Sequence, residues 1–316
     1  MKIVVVTGCL GFMGSYFTRK ALYKGWQVRG IDKMTYAANP ELLKEFNEYS
    51  NFQFEKRDIK NLKRLYDCDY IVNFAAESHV GNSIINSDDF INSNILGVKN
   101  ILDLTRHKPT NCNDKPILFH ISTDEVYGDI TKGAHTETDI LRPSNPYSAA
   151  KASGDMLINA WARTYDIEYI ILRPTNNYGI GQYPEKLIPL SVKNLKRGKK
   201  IKLHDQGKPT RNWLHADDTA EAVMKIIESG DVNEIYNVAG GFEQSNAETV
   251  KRIIKAYFGT DDGWEQYVDF DVYRKGQDVR YALNDRKLKN LGWKPKKKFD
   301  EEIGKIVSYY KDNFIW

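Results

Sequence analysis

Ile3-Val-Val-Val-Thr-Gly-Cys-Leu-Gly-Phe-Met-Gly14 decides how the rest of the chain is read. Its first half is an apolar run that reads as a short buried strand, Lys2 to Val6. Its second half places glycine at 8, 11 and 14, and the pattern that follows predicts an amphipathic helix to about Lys24. Gly8 permits a tight turn, Gly11 lets backbone approach a pyrophosphate, and Gly14 lets helix pack on strand. The helix N-terminus then turns free N–H groups toward the phosphates. A glycine triplet alone is a weak sign, because surface turns also use glycine. Here a second strand, Gln27 to Ile31, follows the helix and ends at Asp32. A carboxylate at that distance takes the adenosine ribose hydroxyls. The whole βαβ unit therefore predicts a dinucleotide site. Asp32 repels a 2′-phosphate, which favours NAD over NADP, and the neighbouring Arg29 and Lys33 soften that preference.

Outward from this unit, strand and helix keep alternating. Strands are predicted at Phe52 to Glu55, ending near Asp58-Ile59, and at Tyr70 to Phe74, followed by Ala75-Ala76-Glu77-Ser78-His79. Two small residues at a strand end let a cofactor approach closely; His79 alone makes no metal set and reads as a hydrogen-bonding histidine. A helix from about Asp88 to His107 leads to a strand at Ile117 to Ser122, and another strand is predicted at Ile167 to Leu172. The fold class is α/β: a Rossmann-type, doubly wound parallel sheet with a smaller α/β substrate-binding domain. We expect residues 1–175 to form the NAD-binding part, rejoined by about 208–240, with 176–207 and 241–316 forming the smaller one. Helices from Ala216 to Glu228 and from about Asp300 to Lys311 and a strand from Ile235 to Val238 complete the reading.

The composition sets the bounds. The chain has 316 residues, 41% apolar and 28% charged, with a net charge of +4. That describes an ordinary globular protein. The basic clusters at 197–200 and 294–298 are short and lack interleaved aromatics, so nucleic-acid binding is not expected. No apolar run approaches a membrane span, and the first strand enters its glycine loop too early for a signal peptide. Cys9, Cys68 and Cys112 are odd in number and widely spaced. They point to a reducing, cytoplasmic compartment and to no metal site.

The chemistry is concentrated in His120-Ile-Ser-Thr-Asp-Glu-Val-Tyr-Gly128. A hydroxyl (Thr123) and two carboxylates (Asp124, Glu125) stand side by side at the end of a core strand, where open α/β sheets bind ligands. Taken alone, the stretch reads as Thr123 capping a turn beside two solvated acids. It is followed, however, by Asn145-Pro-Tyr-Ser-Ala-Ala-Lys151. Pro146 suits a helix start, and Tyr147 and Lys151, four apart, share one face. An ammonium beside a phenol favours the phenolate, which can then take a proton from an alcohol.

With these residues in view, the chain resembles the nucleoside-diphosphate-glucose 4,6-dehydratases of the extended short-chain dehydrogenase/reductase family. The likeness is carried by TGCLGFMGS (7–15), NFAAESHV (73–80), ISTDEVYGD (121–129), NPYSAAKA (145–152), NNYGIGQYPEKLIP (176–189) and TRNWLHADD (210–218). It implies a tightly bound NAD, regenerated at each turnover and held by Gly8, Gly11, Phe12, Met13, Gly14, Asp32, Lys33, Asp58, Ile59, Phe74, Ala75, Ala76, Ser78, Ser93, Tyr147, Lys151 and Asn177. It implies a dTDP- or UDP-glucose substrate held by Ser78, Thr123, Asn176, Lys186, Leu187, Arg211, Asn246 and Arg274, the two arginines taking the diphosphate. The catalytic set it implies is Thr123, Asp124, Glu125, Tyr147 and Lys151. In that chemistry Tyr147 takes the 4-hydroxyl proton, Glu125 takes the C5 proton, and a protonated Asp124 gives one to the departing 6-hydroxyl. The product is a 4-keto-6-deoxy sugar for a deoxysugar or rhamnose pathway. Relatives pair as homodimers through helices that here are about 88–107 and 147–165.

Departures from the family pattern leave the catalytic set intact, and the last of them fall near the expected base and phosphate sites. Cys9 and Leu10 replace a usual Gly and Ala, and Gly81-Asn82 a usual Asp-Arg. Asp205-Gln206-Gly207 replaces Gly-Asp-Gly, and Gln277 stands where His is usual. His204 leans toward a uridine nucleotide. The rivals are a 4-epimerase of the same fold, which the Asp124-Glu125 pair opposes, and a non-catalytic NAD-binding scaffold.

Overall fold

Residues 1–106, 115–272 and 278–313 are described by a computed structural model of the chain. The His107 end of one expected helix, Cys112, Arg274 and Gln277 lie outside the described residues. The first half runs β1 (Ile3–Thr7), α1 (Phe12–Tyr23), β2 (Gln27–Asp32), α2 (Pro40–Asn47), β3 (Phe52–Lys56), β4 (Tyr70–Asn73) and α3 (Val80–Ile85). It continues with α4 (Asp88–Ile91), α5 (Val98–Thr105), β5 (Ile117–Ile121), α6 (Pro146–Tyr165) and β6 (Tyr169–Pro174). The second half runs β7 (Asn176–Tyr178), α7 (Leu187–Lys196), β8 (Ile201–His204), β9 (Thr210–His215), α8 (Ala216–Ser229) and β10 (Glu234–Val238). Then come β11 (Phe242–Ser245), α9 (Asn246–Phe258), β12 (Val268–Val272), α10 (Arg286–Asn290) and α11 (Phe299–Asp312).

Seven parallel strands form the main sheet in the order β10-β6-β5-β4-β1-β2-β3. The chain leaves β1 toward β2 and β3, then returns to the other side at β4. That reversal opens a crevice beyond the carboxyl ends of β1 and β4, the place where such sheets bind ligands. The apolar run of β1 explains its central position. Val4 and Val6 face a core shared with Phe17 of α1 and Val223 of α8. Val5 faces the opposite core, with Ile101 of α5 and Ile158 of α6. Each such valine contributes ~1.5–3 kcal/mol by leaving water, and a charge at Val5 would break the core it shares with Ile101 and Ile158.

The doubly wound α/β expectation holds, and the edges of individual elements moved. β6 starts at Tyr169 and runs through Pro174, because its pairing with β5 begins at Leu118–Tyr169. Pro174 is tolerated at the strand end, where the chain leaves the sheet for β7. Between α4 and α5 the helix does not stay α: Asn92–Gly97 is a π-helical segment. Residues outside the main sheet form a three-stranded sheet, β11-β9-β7, and a two-stranded pair, β12-β8. Around them α7, α9 and α11 enclose a second core that includes Val192, Ile253 and Val307. Among the described residues no helix is long and apolar enough to cross a membrane. The same residues hold no cluster of three or more His, Cys, Asp or Glu able to bind a metal.

Candidate active site

The glycine loop is shaped by close backbone approach. Gly8 has φ +70°, and a Cβ there would lie 2.7 Å from Ala75 N. A Cβ at Gly14 would lie deep inside the van der Waals envelope of Gly8 O. Only glycine lets β1, the β4 exit and α1 converge in this way. Gly11 is the N-cap of α1 and supplies no capping side chain, so the first N–H groups of the helix remain for an anion. Asp32 closes β2. Its carboxylate accepts from Met34 N at 2.7 Å and Leu10 N at 3.1 Å. Burial raises its pKa and those two amides counter it. A carboxylate has four acceptor positions, so two remain for ribose hydroxyls. Lys33 is turned away from this carboxylate, to Ser93 Oγ at 2.9 Å and Glu77 at 3.1 Å.

Every residue expected to touch the cofactor lies on the wall of one continuous cleft, which runs from Gly8 past Ala75 to Tyr147 and Lys151. The cradle, the uncapped helix and the buried acid fit NAD. No motif marks Thr35, Ala37 or Arg57, which line the same wall, and Tyr183 lines it from within the 176–189 stretch. They sit in loops whose place is set by distant segments.

The catalytic end is built where β5 meets α6. Thr123 caps the 3₁₀ turn Asp124–Tyr127, accepting from Glu125 N at 3.3 Å. So half of the bland reading is right, but the acids are not solvated. Asp124 is 2% exposed. Its Oδ1 accepts from Thr123 Oγ1 at 3.2 Å, and its Oδ2 is buried without a partner. Burial, then the neighbouring Glu125 carboxylate, push the Asp124 pKa up to about 8, against a smaller opposing effect of Arg211. Glu125 is also raised by burial, but Arg211, Asn145 and Lys186 hold it down. Both acids are raised, and Asp124, at about 8, is the one held neutral near pH 7.

α6 delivers the tyrosine and lysine. Asn145 and Ser148 form a capping box, with Pro146 in the first turn, and Tyr147 N donates to Ser83 Oγ at 3.2 Å. Tyr147 and Lys151 are both buried. The phenol is held above its ordinary pKa, first by burial and then by Glu125, while the Thr123 hydroxyl opposes this. The expected acidifying contact is not made, because the Lys151 ammonium donates to the Ile121 carbonyl at 2.6 Å. Burial lowers the Lys151 pKa to about 8, and Asp155 opposes that fall.

The expected substrate residues divide. Asn176 and Lys186 line the cleft. Lys186 Nζ donates to Ser78 O at 2.6 Å, and Asn176 Oδ1 is buried with no hydrogen-bond partner. Asn177 reaches the cleft, but its side-chain oxygen accepts from Thr219 Oγ1 at 2.6 Å. Leu187 opens α7 and Asn246 opens α9, both away from the cleft wall. Arg211 packs behind the acids: its guanidinium donates to Thr210 O at 2.8 Å and Asp278 O at 3.1 Å, over the Tyr281 ring.

A dinucleotide cradle joined to a Thr/Tyr/Lys cluster defines an extended short-chain dehydrogenase/reductase. Residues 5–306 match the family described as GDP-mannose 4,6 dehydratase. The chain is 38% identical to the low-salt glycan biosynthesis protein Agl12 of Haloferax volcanii, over 97% of this chain and 98% of that one. It is 38% identical to a dTDP-glucose 4,6-dehydratase of Neisseria meningitidis, over 100% of this chain and 95% of that one. Among solved structures, DesIV, a dTDP-glucose 4,6-dehydratase of Streptomyces venezuelae with NAD bound, superposes with a TM-score of 0.91. The two share 35% identity over 98% of this chain and 97% of that one. The chain belongs to the nucleoside-diphosphate-sugar 4,6-dehydratase family.

Proposed function

We propose that the protein is an NAD-dependent hydro-lyase that removes water from a nucleoside-diphosphate-glucose to give the 4-keto-6-deoxy sugar. The observation that carries this is the Asp124–Glu125 pair, side by side at the strand end, Glu125 half-buried and Asp124 buried and held neutral near pH 7. An epimerase has no use for a buried acid and base beside its tyrosine; an elimination needs both.

Bound nicotinamide supplies reversible hydride transfer. The chain's own residues supply the proton chemistry. Tyr147 removes the proton of the 4-hydroxyl, and Thr123 hydrogen-bonds the same oxygen. A ketone at C4 acidifies the C5 proton, which Glu125 takes. Asp124, already protonated, gives its proton to the 6-hydroxyl, and water leaves; with the hydride restored at C6, Glu125 returns its proton to C5, and the 4-keto-6-deoxy sugar is complete. Burial of the cluster keeps solvent from competing for these protons and strengthens each charge interaction. Asn176, with its unpaired buried oxygen, holds a sugar hydroxyl in this reading, and Arg211 and Arg274 the diphosphate. His204, half-buried at the end of β8, favours uridine. A single methyl separates the two bases, a difference worth ~1–3 kcal/mol in a pocket, so both sugars are expected to react.

The enzyme works as a homodimer in this proposal. On the helices expected to pair, Ile91, Leu96 and Met156 are exposed, Met156 at 64%. We assign it to the cytoplasm, in keeping with the buried Cys9 thiol, which is in no disulfide.

The test is mass spectrometry of the products after separate incubation with dTDP-glucose and UDP-glucose. Loss of one water without added reductant is expected from at least one of them. Unchanged mass with both, in protein shown to hold NAD, overturns the reading.

A further inference from the structure

Beneath the cleft lies a buried polar chain that crosses five strands, β1, β4, β5, β6 and β10. Thr7 Oγ1, at the end of β1, donates to Asn73 Oδ1 at 2.6 Å. The Asn73 amide donates to His120 Nδ1 at 2.9 Å. His120 Nε2 lies 3.4 Å from Lys151 Nζ and 3.9 Å from Asp155 Oδ1. Asp155 Oδ2 accepts from Arg173 Nε at 2.9 Å. Arg173 Nη1 donates to Tyr127 OH at 2.7 Å, and that hydroxyl donates to Asn237 Oδ1 at 2.9 Å. His120, Lys151, Asp155 and Arg173 are each 2% exposed or less.

Three of these groups are ionic, and burial of ions is costly unless each is compensated. Lys151 and Asp155 stand four apart on α6, on one face of the helix. Arg173 satisfies one oxygen of Asp155. The other, Oδ1, makes no hydrogen bond within ordinary limits and lies 3.9 Å from His120 Nε2, the nitrogen that also neighbours the lysine. A surface-seeking ion pair would have left both acid oxygens to the arginine fork. His120 is deep and neutral, since burial, then Lys151 and Arg173, oppose its protonation.

We infer that Asp155 is a positioning residue for the reaction, acting through Lys151: it keeps the buried ammonium charged beside Tyr147, with His120 as the neutral spacer and Arg173 as the counter-ion that keeps Asp155 itself ionised. This deepens the dehydratase reading and rests on it. Among the described residues, Asp155 is the charged group that supports the buried ammonium. The groups that face Lys151 are His120 and the Ile121 carbonyl from β5, Asp155 from α6 and, through Asp155, Arg173 from β6. Asp155 is the one acid among them, and the proton steps leave it unused.

The test compares Asp155→Asn with the double variant Asp155→Leu/Arg173→Leu, which removes Asp155 together with its own counter-ion so that Arg173 is not left unpaired. Wild-type protein is assayed first; if it yields no dehydrated sugar, the functional reading fails and the inference with it. Given an active wild type, Asp155→Asn is expected to lower kcat ~10-fold or more, to leave KM within about twofold, and to move the alkaline limb of kcat downward by ~1 pH unit. The double variant is expected to melt close to the wild type yet stay slow, with the same displaced limb. A stable Asp155→Asn with normal kcat and an unmoved limb overturns the inference. So does a double variant that recovers activity along with stability. Failure of both variants to fold makes the pair purely structural and overturns it equally.

Discussion

Asp124 shows how a single side chain can trade stability for chemistry. Its pKa is about 8 in the fold, against ~3.9 in an unfolded chain. Between those values the native state binds the proton that the unfolded state has lost, so this residue's contribution to stability falls as pH rises from about 4 to 8. Each unit of displacement is worth ~1.4 kcal/mol. Asp124→Asn removes that penalty. We expect the variant to melt above the wild type at pH 8, by ~2 °C or more, with the gap narrowing at pH 5. Calorimetry at the two pH values checks this. The same variant loses the acid for the 6-hydroxyl, and kcat should fall ~10²–10⁴-fold. In the wild type the rate should fall as pH passes about 8, because Asp124 and Lys151 both surrender their protons there. A rate still rising at pH 9 would contradict these assignments. Much of this was legible from the chain: a threonine and two acids after an apolar run, and a tyrosine four residues before a lysine. The direction of the lysine was not. Spacing says that Tyr147 and Lys151 share a face, but the Ile121 carbonyl that takes the ammonium comes from another strand, and no local pattern announces it.

Among the elements, the glycine loop was the most legible, because its constraints are local and steric. Gly14→Ala pushes a methyl group into Gly8 O, which is backbone and cannot swing aside. The purified variant should retain less than about a tenth of the wild-type NAD and should melt lower, by the ~1–3 kcal/mol typical of overpacking. Nucleotide released on heat denaturation, measured chromatographically, decides it; full NAD content would show that the loop opens without loss. The α4–α5 helix was legible in extent but not in kind. Its π segment follows from no propensity of Asn92–Gly97. It turns Ser93 to Lys33 and Asn94 to Glu77, whose N–H and carbonyl both bond to the Asn94 side chain, at 3.0 and 2.9 Å. π segments recur at functional sites for this reason. Asn94→Ala leaves two backbone groups of the β4 exit without partners, at ~1–3 kcal/mol, and should raise the NAD concentration needed for half-maximal activity. An unchanged melting temperature would sink that argument. The small β11-β9-β7 sheet was missed altogether. Its strands are three to six residues long and pair across distant segments, so neither length nor periodicity marks them.

At the scale of the whole molecule, the sheet, the cleft and the exposed helices divide the work. The main sheet places the cofactor cradle and the proton-transfer cluster at one edge. α7, α9 and α11 gather around a separate core whose strands bring Asn176 and Arg211 toward that edge. The face formed by α4, α5 and α6 carries Ile91, Leu96 and Met156 in the open, at 42%, 43% and 64% exposure. Scattered apolar residues are normal on a surface. Three on adjoining helices, each a long flexible or branched side chain, make a patch that a second copy of the same face can cover. Two-fold pairing is the commonest way to close such a face, because one patch then serves both partners. A charge placed at its centre meets its own copy across the axis, so repulsion is doubled while the apolar contact is lost. Met156→Glu should therefore shift sedimentation at micromolar concentration from dimer to monomer. Met156 points away from Tyr147 and Lys151, which are buried in the same helix, so NAD content should be kept. If the wild type already sediments as a monomer, or the variant stays dimeric, pairing through these helices is wrong and the patch serves another surface.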